Sequence, residues 1–367
     1  MKIQMVDLNR QYHELKEDID KAVLAVLESG QFILGPDVKQ LESELKEYVG
    51  VKHAVACANG TDALQIALMA LGVGPGDEVL TTPFTFVSTA EVGALLGAKV
   101  TFADICEETF NIDPKEVRKR ITARTKAIVP VHLYGLPADM DELIAISKDT
   151  RIPIVEDAAQ AFGAEYHGRK VCTFGKIGCV SFFPSKNFGA YGDAGMAFTD
   201  DEELGVKMRA IAVHGSQKKY YHDYIGLNSR LDTIQAAILR VKLHRLDSYN
   251  RLRRKFAGIY NEKLADIVKT PNIPADRNHI FHQYTIRTEK RDVLLEHLKL
   301  MGVPSAIYYP VPLHLQKAYH YLGYRAGDFP VAEKLSTEVL SLPMHPHLKE
   351  EELDFIAGTI REFSRKK

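Results

Sequence analysis

Gly178-Cys-Val-Ser181-Phe-Phe-Pro184-Ser185-Lys186 is an apolar run that ends in a lysine. Just upstream, Ile152-Pro-Ile-Val-Glu156-Asp157-Ala-Ala-Gln160 is an apolar run that ends in two carboxylates. Each reads as a strand buried on both faces, as in a parallel sheet, with its polar group delivered at the carboxyl end. Around them, from residue 53 to about 200, short β-rich runs alternate with helical patterns, which predicts an α/β fold with a mostly parallel sheet. The strands expected are His53 to Ala58, Glu78 to Thr82, Lys99 to Ile105, Ala127 to His132, Ile152 to Glu156, Gly178 to Phe183 and Met196 to Thr199. Helices fall at Thr61 to Leu71, Phe86 to Leu96, Pro114 to Ile121 and Asp139 to Lys148, several opened by a capping Thr or Asp.

The remainder divides around this core. Two helices, about Tyr12 to Glu28 and Asp37 to Tyr48, precede it. After it, apolar positions from Leu231 to Tyr260 recur at three and four residues and predict one helix of about 50 Å. That helix leads to strand His282 to Arg287, helix Arg291 to Met301, strand Ser305 to Tyr309, and helices near 331 to 340 and 350 to 364. The expected domains are therefore residues 1–230, large, and 231–367, a smaller C-terminal α/β unit.

Composition removes several classes of function. With 47 Lys plus Arg against 48 Asp plus Glu the formal charge is −1, too balanced for a protein that neutralises a phosphate backbone, so no nucleic-acid partner is expected. Hydrophobic residues at 46% and charged residues at 26% match compact soluble chains. No run approaches the roughly 20 apolar residues of a bilayer span, and the segment from Met1 to Asp7 carries no export pattern, so a cytoplasmic location away from membranes is expected. Cys57, Cys106, Cys172 and Cys179 lack both zinc-site spacing and disulfide density and read as buried thiols.

Two glycine-rich stretches fail as phosphate loops. Gly72-Val-Gly-Pro-Gly76 follows a helix and precedes a strand, the reverse of the dinucleotide order, and Gly163 to Lys170 has Arg169 and Val171 where the loop needs Lys and Ser or Thr. His279 with His282, and His345 with His347, sit without a carboxylate set, so they read as surface or cleft histidines and no catalytic metal is expected.

What remains is a set of chemical parts at strand ends. In an open α/β sheet ligands bind in the crevice outside the carboxyl ends, which is where Asp157 and Lys186 fall. Ala58-Asn59-Gly60-Thr61-Asp62 is a strand-to-helix junction whose free amides suit a phosphate, although the same pattern serves as a plain helix cap. Taken singly, Asp157 could equally cap a helix and Lys186 sit in a solvated turn. Together with the Ser181 hydroxyl they supply an anion cradle, a carboxylate and an amine, the needs of pyridoxal phosphate. Phe86 could stack on its ring or belong to the core.

Five motifs, Asn59-Gly-Thr-Asp-Ala-Leu64, Thr82-Pro-Phe-Thr-Phe-Val87, Glu156-Asp-Ala-Ala-Gln160, Ser181-Phe-Phe-Pro-Ser-Lys186 and Gly226-Leu-Asn-Ser-Arg230, occur in the order of the DegT/DnrJ/EryC1/StrS aminotransferases, which the chain resembles along its length. The resemblance implies a type I aminotransferase fold, aspartate aminotransferase-like, working as a homodimer with active sites shared between subunits. It implies that Lys186 carries the cofactor and shuttles the proton, and that Asp157 pairs with the ring nitrogen. Gln160 would lie near the ring hydroxyl and Phe86 over the ring, with Gly60, Thr61 and Ser181 on the phosphate and Asn228 reaching it from the other subunit. Dehydratase members carry histidine where Lys186 stands, so amino transfer from glutamate or glutamine to a nucleotide-linked keto-sugar is implied.

The stretch from Val213 to Thr233 looks closest to family members that aminate UDP-2-acetamido-2-deoxy-3-oxo-glucuronate for surface polysaccharide such as O-antigen. In that subgroup Arg230 would bind the sugar carboxylate, with a structural ion pair to Asp232 as the plainer reading. Tyr308 and Tyr309 would also meet substrate, but Tyr308 stands where that subgroup has histidine, and Ala194 stands where glycine or glutamate is commoner. A neutral dTDP- or UDP-linked 3-oxo or 4-oxo deoxy sugar, or a regulator without activity, are the alternatives. An enzyme for α-amino acids would need an arginine clamp late in the chain, and Leu340-Ser-Leu-Pro-Met344 holds none.

Overall fold

The computed structural model describes residues 3–365, so residues 1–2 and 366–367, the outer ends of the two expected domain spans, lie outside the described residues. The apolar runs pair into one sheet in the order His53–Cys57, Gly195–Thr199, Ile177–Ser181, Val155–Asp157, Thr125–Ile128, Glu78–Thr81 and Lys99–Phe102. Bridges from Ile128 to Ile154 and from Val131 to Asp157 join its two halves. Gly195–Thr199 runs antiparallel to both its neighbours, and the other pairings are parallel.

Alternation along the strands sends side chains to two cores. Cys179 and Ala197 join helices Gly60–Ala70 and Glu202–Ala212 on one face, while Val180, Met196 and Phe198 meet Pro36–Val49 and Thr233–Leu243 on the other. Helix Leu8–Ser29 lies on Thr233–Leu243 through Leu15, Ile19 and Ile238. The direction of the strands is what builds the site. His53–Cys57, Glu78–Thr81, Val155–Asp157 and Ile177–Ser181 all point the same way, so the residues that follow them emerge along one edge.

A second, smaller sheet pairs Tyr284–Arg287 with Val339–Leu342, with Lys269 and Ala306 bridged to its two strands. Leu246–Leu264, Arg291–Leu300 and Glu350–Arg365 enclose it through Phe256, Tyr260, Leu294, Leu298, Leu353 and Ile356.

Two expectations are corrected. The stripe from Leu231 to Tyr260 is two helices, Thr233–Leu243 and Leu246–Leu264, separated at His244–Arg245, where the Arg245 amide donates to Lys242 at 2.9 Å. Ala236, Leu239 and Leu246 belong to the core of the large sheet, whereas Phe256, Ala257 and Tyr260 belong to that of the small one, and the break redirects the chain between them. Ser305 to Tyr309 is not a strand either. It pairs with the small sheet at Ala306 alone, because Tyr308 and Tyr309 turn away to line a cavity. Among the described residues no helix is long and apolar enough to cross a membrane.

Candidate active site

The shared strand edge borders a cavity of about 830 Å³. Gly60, Thr61, Phe86, Asp157, Gln160, Ser181, Lys186, Tyr308 and Tyr309 all line it.

At one end, Asn59 caps helix Gly60–Ala70 by accepting the Asp62 amide at 2.8 Å. The Gly60 and Thr61 amides ahead of it have no acceptor among the described residues, so they are open donors at the positive end of a helix. Thr61 and Ser88 hydroxyls meet at 2.8 Å, and Ser181 stands beside them. The convergence needs small residues: a Cβ on Gly60 would stand 2.5 Å from Ser181 Cβ, and one on Gly195 would stand 2.3 Å from the Asn59 carbonyl oxygen.

In the middle sits Asp157, 4% exposed. Its carboxylate accepts from Thr89 Oγ1 at 2.7 Å and from the Ala159 amide at 3.1 Å. Burial raises its pKa, against the pull of those two donors and of Lys186. Gln160 is held at both ends of its amide, accepting from the Tyr134 amide at 2.8 Å and donating to the Tyr309 hydroxyl at 3.0 Å. Tyr309 in turn packs 6.4 Å from Phe86, whose ring is left largely exposed to the cavity.

Opposite lies Lys186. Burial pushes its amine down to about 8, and Asp157 opposes the shift. A fraction of the neutral amine is therefore present near neutral pH, which is the nucleophilic form. The loop carrying it is closely held. Its amide donates to Phe183 at 2.8 Å, Asn187 donates to Asn250 and to the Ile280 carbonyl, and Lys242 donates to the Gly189 carbonyl at 2.7 Å.

Lys242 is itself unusual: 3% exposed, it faces the Tyr191 ring at 3.8 Å and makes no ion pair among the described residues, and burial lowers it to about 7. In the unfolded chain the same amine keeps its proton to about pH 10.4. The unfolded state thus binds more protons between those two values, so this group makes stability rise with pH across that window, by at most about 1.4 kcal/mol per unit. Thermal unfolding at pH 7 and pH 9 should show a larger gain in the wild type than in Lys242→Met; equal gains would refute this.

Behind Asp157, on the other side of its strand, Glu156 and His132 are fully buried and 3.0 Å apart. Glu156 also accepts the amides of Cys172, Phe174 and Gly175 at 2.7 to 2.9 Å. His132 Nδ1 accepts the Ala138 amide at 2.9 Å, which assigns the ring proton to Nε2, facing Glu156.

Asn228 and Arg230 do not join this cavity. Asn228 is exposed and bridged to Val213, and Arg230 lines a separate hollow with Arg209 and Ser229. The ion pair of Arg230 with Asp232 is not formed, and Arg230 has no charged or hydrogen-bonded partner among the described residues. Several lining residues were given no role from the sequence, Thr85, Ser88, Thr89 and Gln283, and His282 was read only as a surface or cleft histidine. Ser88 and Thr89 fall just past the Thr82 to Val87 motif, at the start of helix Ser88–Leu95, and that proximity was their only signal.

A model of the DegT/DnrJ/EryC1/StrS aminotransferase family matches residues 13–361. The chain belongs to that family. It is a PLP-dependent aminotransferase with the type I fold. A protein named pleiotropic regulatory protein from Geobacillus stearothermophilus is 51% identical, over 100% of this chain and 99% of that one. A UDP-2-acetamido-2-deoxy-3-oxo-D-glucuronate aminotransferase from Pseudomonas aeruginosa is 47% identical, over 98% and 99%. Among solved structures, a DegT/DnrJ/EryC1/StrS aminotransferase from Brucella abortus superposes with a TM-score of 0.96 at 43% identity, covering 99% of each chain. The PLP form of a Streptococcus pneumoniae protein described as a sugar aminotransferase superposes at 0.91 with 28% identity, over 100% and 99%.

The residues present fit that cofactor. Two open amides and a hydroxyl suit its phosphate, a buried carboxylate its ring nitrogen, and a partly neutral amine its aldehyde.

Proposed function

We propose that this enzyme moves an amino group from glutamate to the keto carbon of UDP-2-acetamido-2-deoxy-3-oxo-glucuronate, in the cytoplasm, for surface polysaccharide such as O-antigen. The 47% identity to the Pseudomonas aeruginosa enzyme supports the sugar. The observation that carries the reading is Arg230, a guanidinium with no partner among the described residues, on a loop that also presents Tyr220, Tyr221 and Ile225 to solvent.

Such an apolar surface asks for cover. Phe32, Ile33, Leu34, Leu24 and Leu27 are exposed as well, which favours a homodimer in which each subunit's Asn228 and Arg230 complete the other's cavity. The bound cofactor supplies an electron sink that makes the proton on the substrate carbon acidic. Lys186 would hold the cofactor through its amine, and that same amine would take and return the proton. Its lowered pKa keeps it able to accept. Asp157, fixed by Thr89 and the Ala159 amide, holds the proton on the ring nitrogen, while Gly60, Thr61 and Ser181 receive the phosphate. Gln160 and Phe86 orient the ring, and Tyr308 and Tyr309 face the sugar.

The test is a glutamate-dependent assay over UDP- and dTDP-linked 3-oxo and 4-oxo sugars with and without the carboxylate. Arg230→Ala should lower kcat/KM on the uronate by about 10- to 150-fold, the worth of a charged hydrogen-bonded pair, and leave neutral sugars nearly unchanged. An equal loss on both would assign Arg230 to structure. Tyr308 favours one second reading: its phenol offers a sugar carboxylate no positive charge, so activity confined to a neutral deoxy sugar would transfer the assignment there.

A further inference from the structure

Among the described residues Thr89 is the one side chain that donates to the Asp157 carboxylate. The two residues are 1% and 4% exposed and both line the cavity. Thr89 Oγ1 donates to Oδ2 at 2.7 Å, and the Ala159 amide donates to Oδ1 at 3.1 Å. Each oxygen thus has one protein donor, and Asp157 forms no ion pair among the described residues. The last torsion of an aspartate is broad, so these two donors are what fix the plane of its carboxylate.

The contact is made between distant parts of the chain. Thr89 is the second residue of helix Ser88–Leu95 and stands 68 residues from Asp157 in sequence. The preceding residue, Ser88, meets Thr61 at the phosphate end of the cavity, so one turn of helix reaches both ends. A hydroxyl has a single proton, and that of Thr89 is committed to Asp157. The Thr85 hydroxyl, 2% exposed and 3.4 Å from Thr89 Oγ1, is therefore the donor in that longer contact. The result is a directed chain from Thr85 to Thr89 to Asp157, in which each bond polarises the next.

A hydroxyl donates more strongly to a carboxylate than to the neutral acid, so such a donor favours the charged form. Where a carboxylate and a ring nitrogen share one proton, the donor moves that proton toward the nitrogen. We propose that Thr89 is a positioning residue acting through Asp157: its hydroxyl, backed by Thr85, sets the carboxylate plane and keeps the shared proton on the cofactor's ring nitrogen. The inference rests on the reading of Asp157 as the ring-nitrogen partner and does not depend on the sugar.

The test uses the enzyme loaded with cofactor labelled with ¹⁵N in the ring, whose chemical shift separates a protonated nitrogen from a bare one. Wild type and Thr89→Ser, which keeps the hydroxyl, should show the protonated nitrogen. Thr89→Val keeps the shape and removes the donor; it should lower the ratio of protonated to bare nitrogen by about 5- to 15-fold, the difference between donating to a charged and to a neutral acceptor. The half-reaction with glutamate, followed by the cofactor's absorbance in a single turnover, should slow by the same factor in Thr89→Val and stay close to wild type in Thr89→Ser. Thr85→Val, which removes only the backing donor, should move both readouts the same way by less, and it decides the matter if Thr89→Val does not fold. A nitrogen equally protonated in wild type and in the valine variants, or equal losses in Thr89→Ser and Thr89→Val, would overturn the proposal. A bare nitrogen in the wild type would overturn the reading of Asp157 along with it.

Discussion

Lys186→Ala should abolish transamination, with a fall of at least about 10⁴-fold, because the side chain is both the attachment point and the proton carrier, and proton transfer alone is worth about 10² to 10⁴. The visible band of the lysine-linked cofactor should vanish with it, while the unfolding midpoint without cofactor stays close to wild type. The loop does not depend on that amine: Asn187, Lys242 and the backbone from Phe183 hold it. The same variant tests the shared site. In a hybrid of one Lys186→Ala chain and one Arg230→Ala chain, one of the two cavities receives both intact residues. Mixing the two variants should therefore raise uronate turnover above that of the Arg230→Ala chain alone, Lys186→Ala having none. Unchanged transamination by Lys186→Ala would sink the mechanism, and a mixture no better than its parts would sink the exchange of Arg230 between subunits.

Glu156→Ala should cost the most stability of any substitution considered, about 3 to 5 kcal/mol, read by denaturant unfolding at fixed protein concentration. The reason is the number of groups it strands. The carboxylate is fully buried and satisfies three amides of the segment 172–175 and the His132 ring at once. Removing it leaves four donors facing a void, those of His132 and Cys172 buried and those of Phe174 and Gly175 half-buried. Activity should fall too, since Glu156 and Asp157 are consecutive and the strand that aims one is anchored by the other. A loss of under 1 kcal/mol would show that the segment finds other acceptors.

How legible these features were depends on how local their causes are. Asp157 and Lys186 could be found because each ends an apolar strand, and parallel neighbours put such ends on one edge without further information. Gly60 and Thr61 were legible for the same reason. The helix break at His244–Arg245 was not, because neither Gly nor Pro marks it and the cause lies in two separate cores. His282 looked like any cleft histidine, since what encloses its segment is the meeting of Tyr134 and Gly135 with Asn187 and Arg253, residues from three distant parts of the chain. That Asn228 would lie outside its own cavity was an expectation of the family resemblance alone, and the placement of Arg230 in a separate hollow was not expected.

The glycines at 60 and 195 leave no room for a methyl group, each pressed against the backbone or side chain of a neighbouring segment. Anyone seeking to retune this catalyst for a different sugar thus inherits a phosphate end that tolerates almost no variation. Diversity has to be introduced at Tyr308 and along 217–225, where side chains face the cavity or solvent and can change without disturbing how the cofactor is seated.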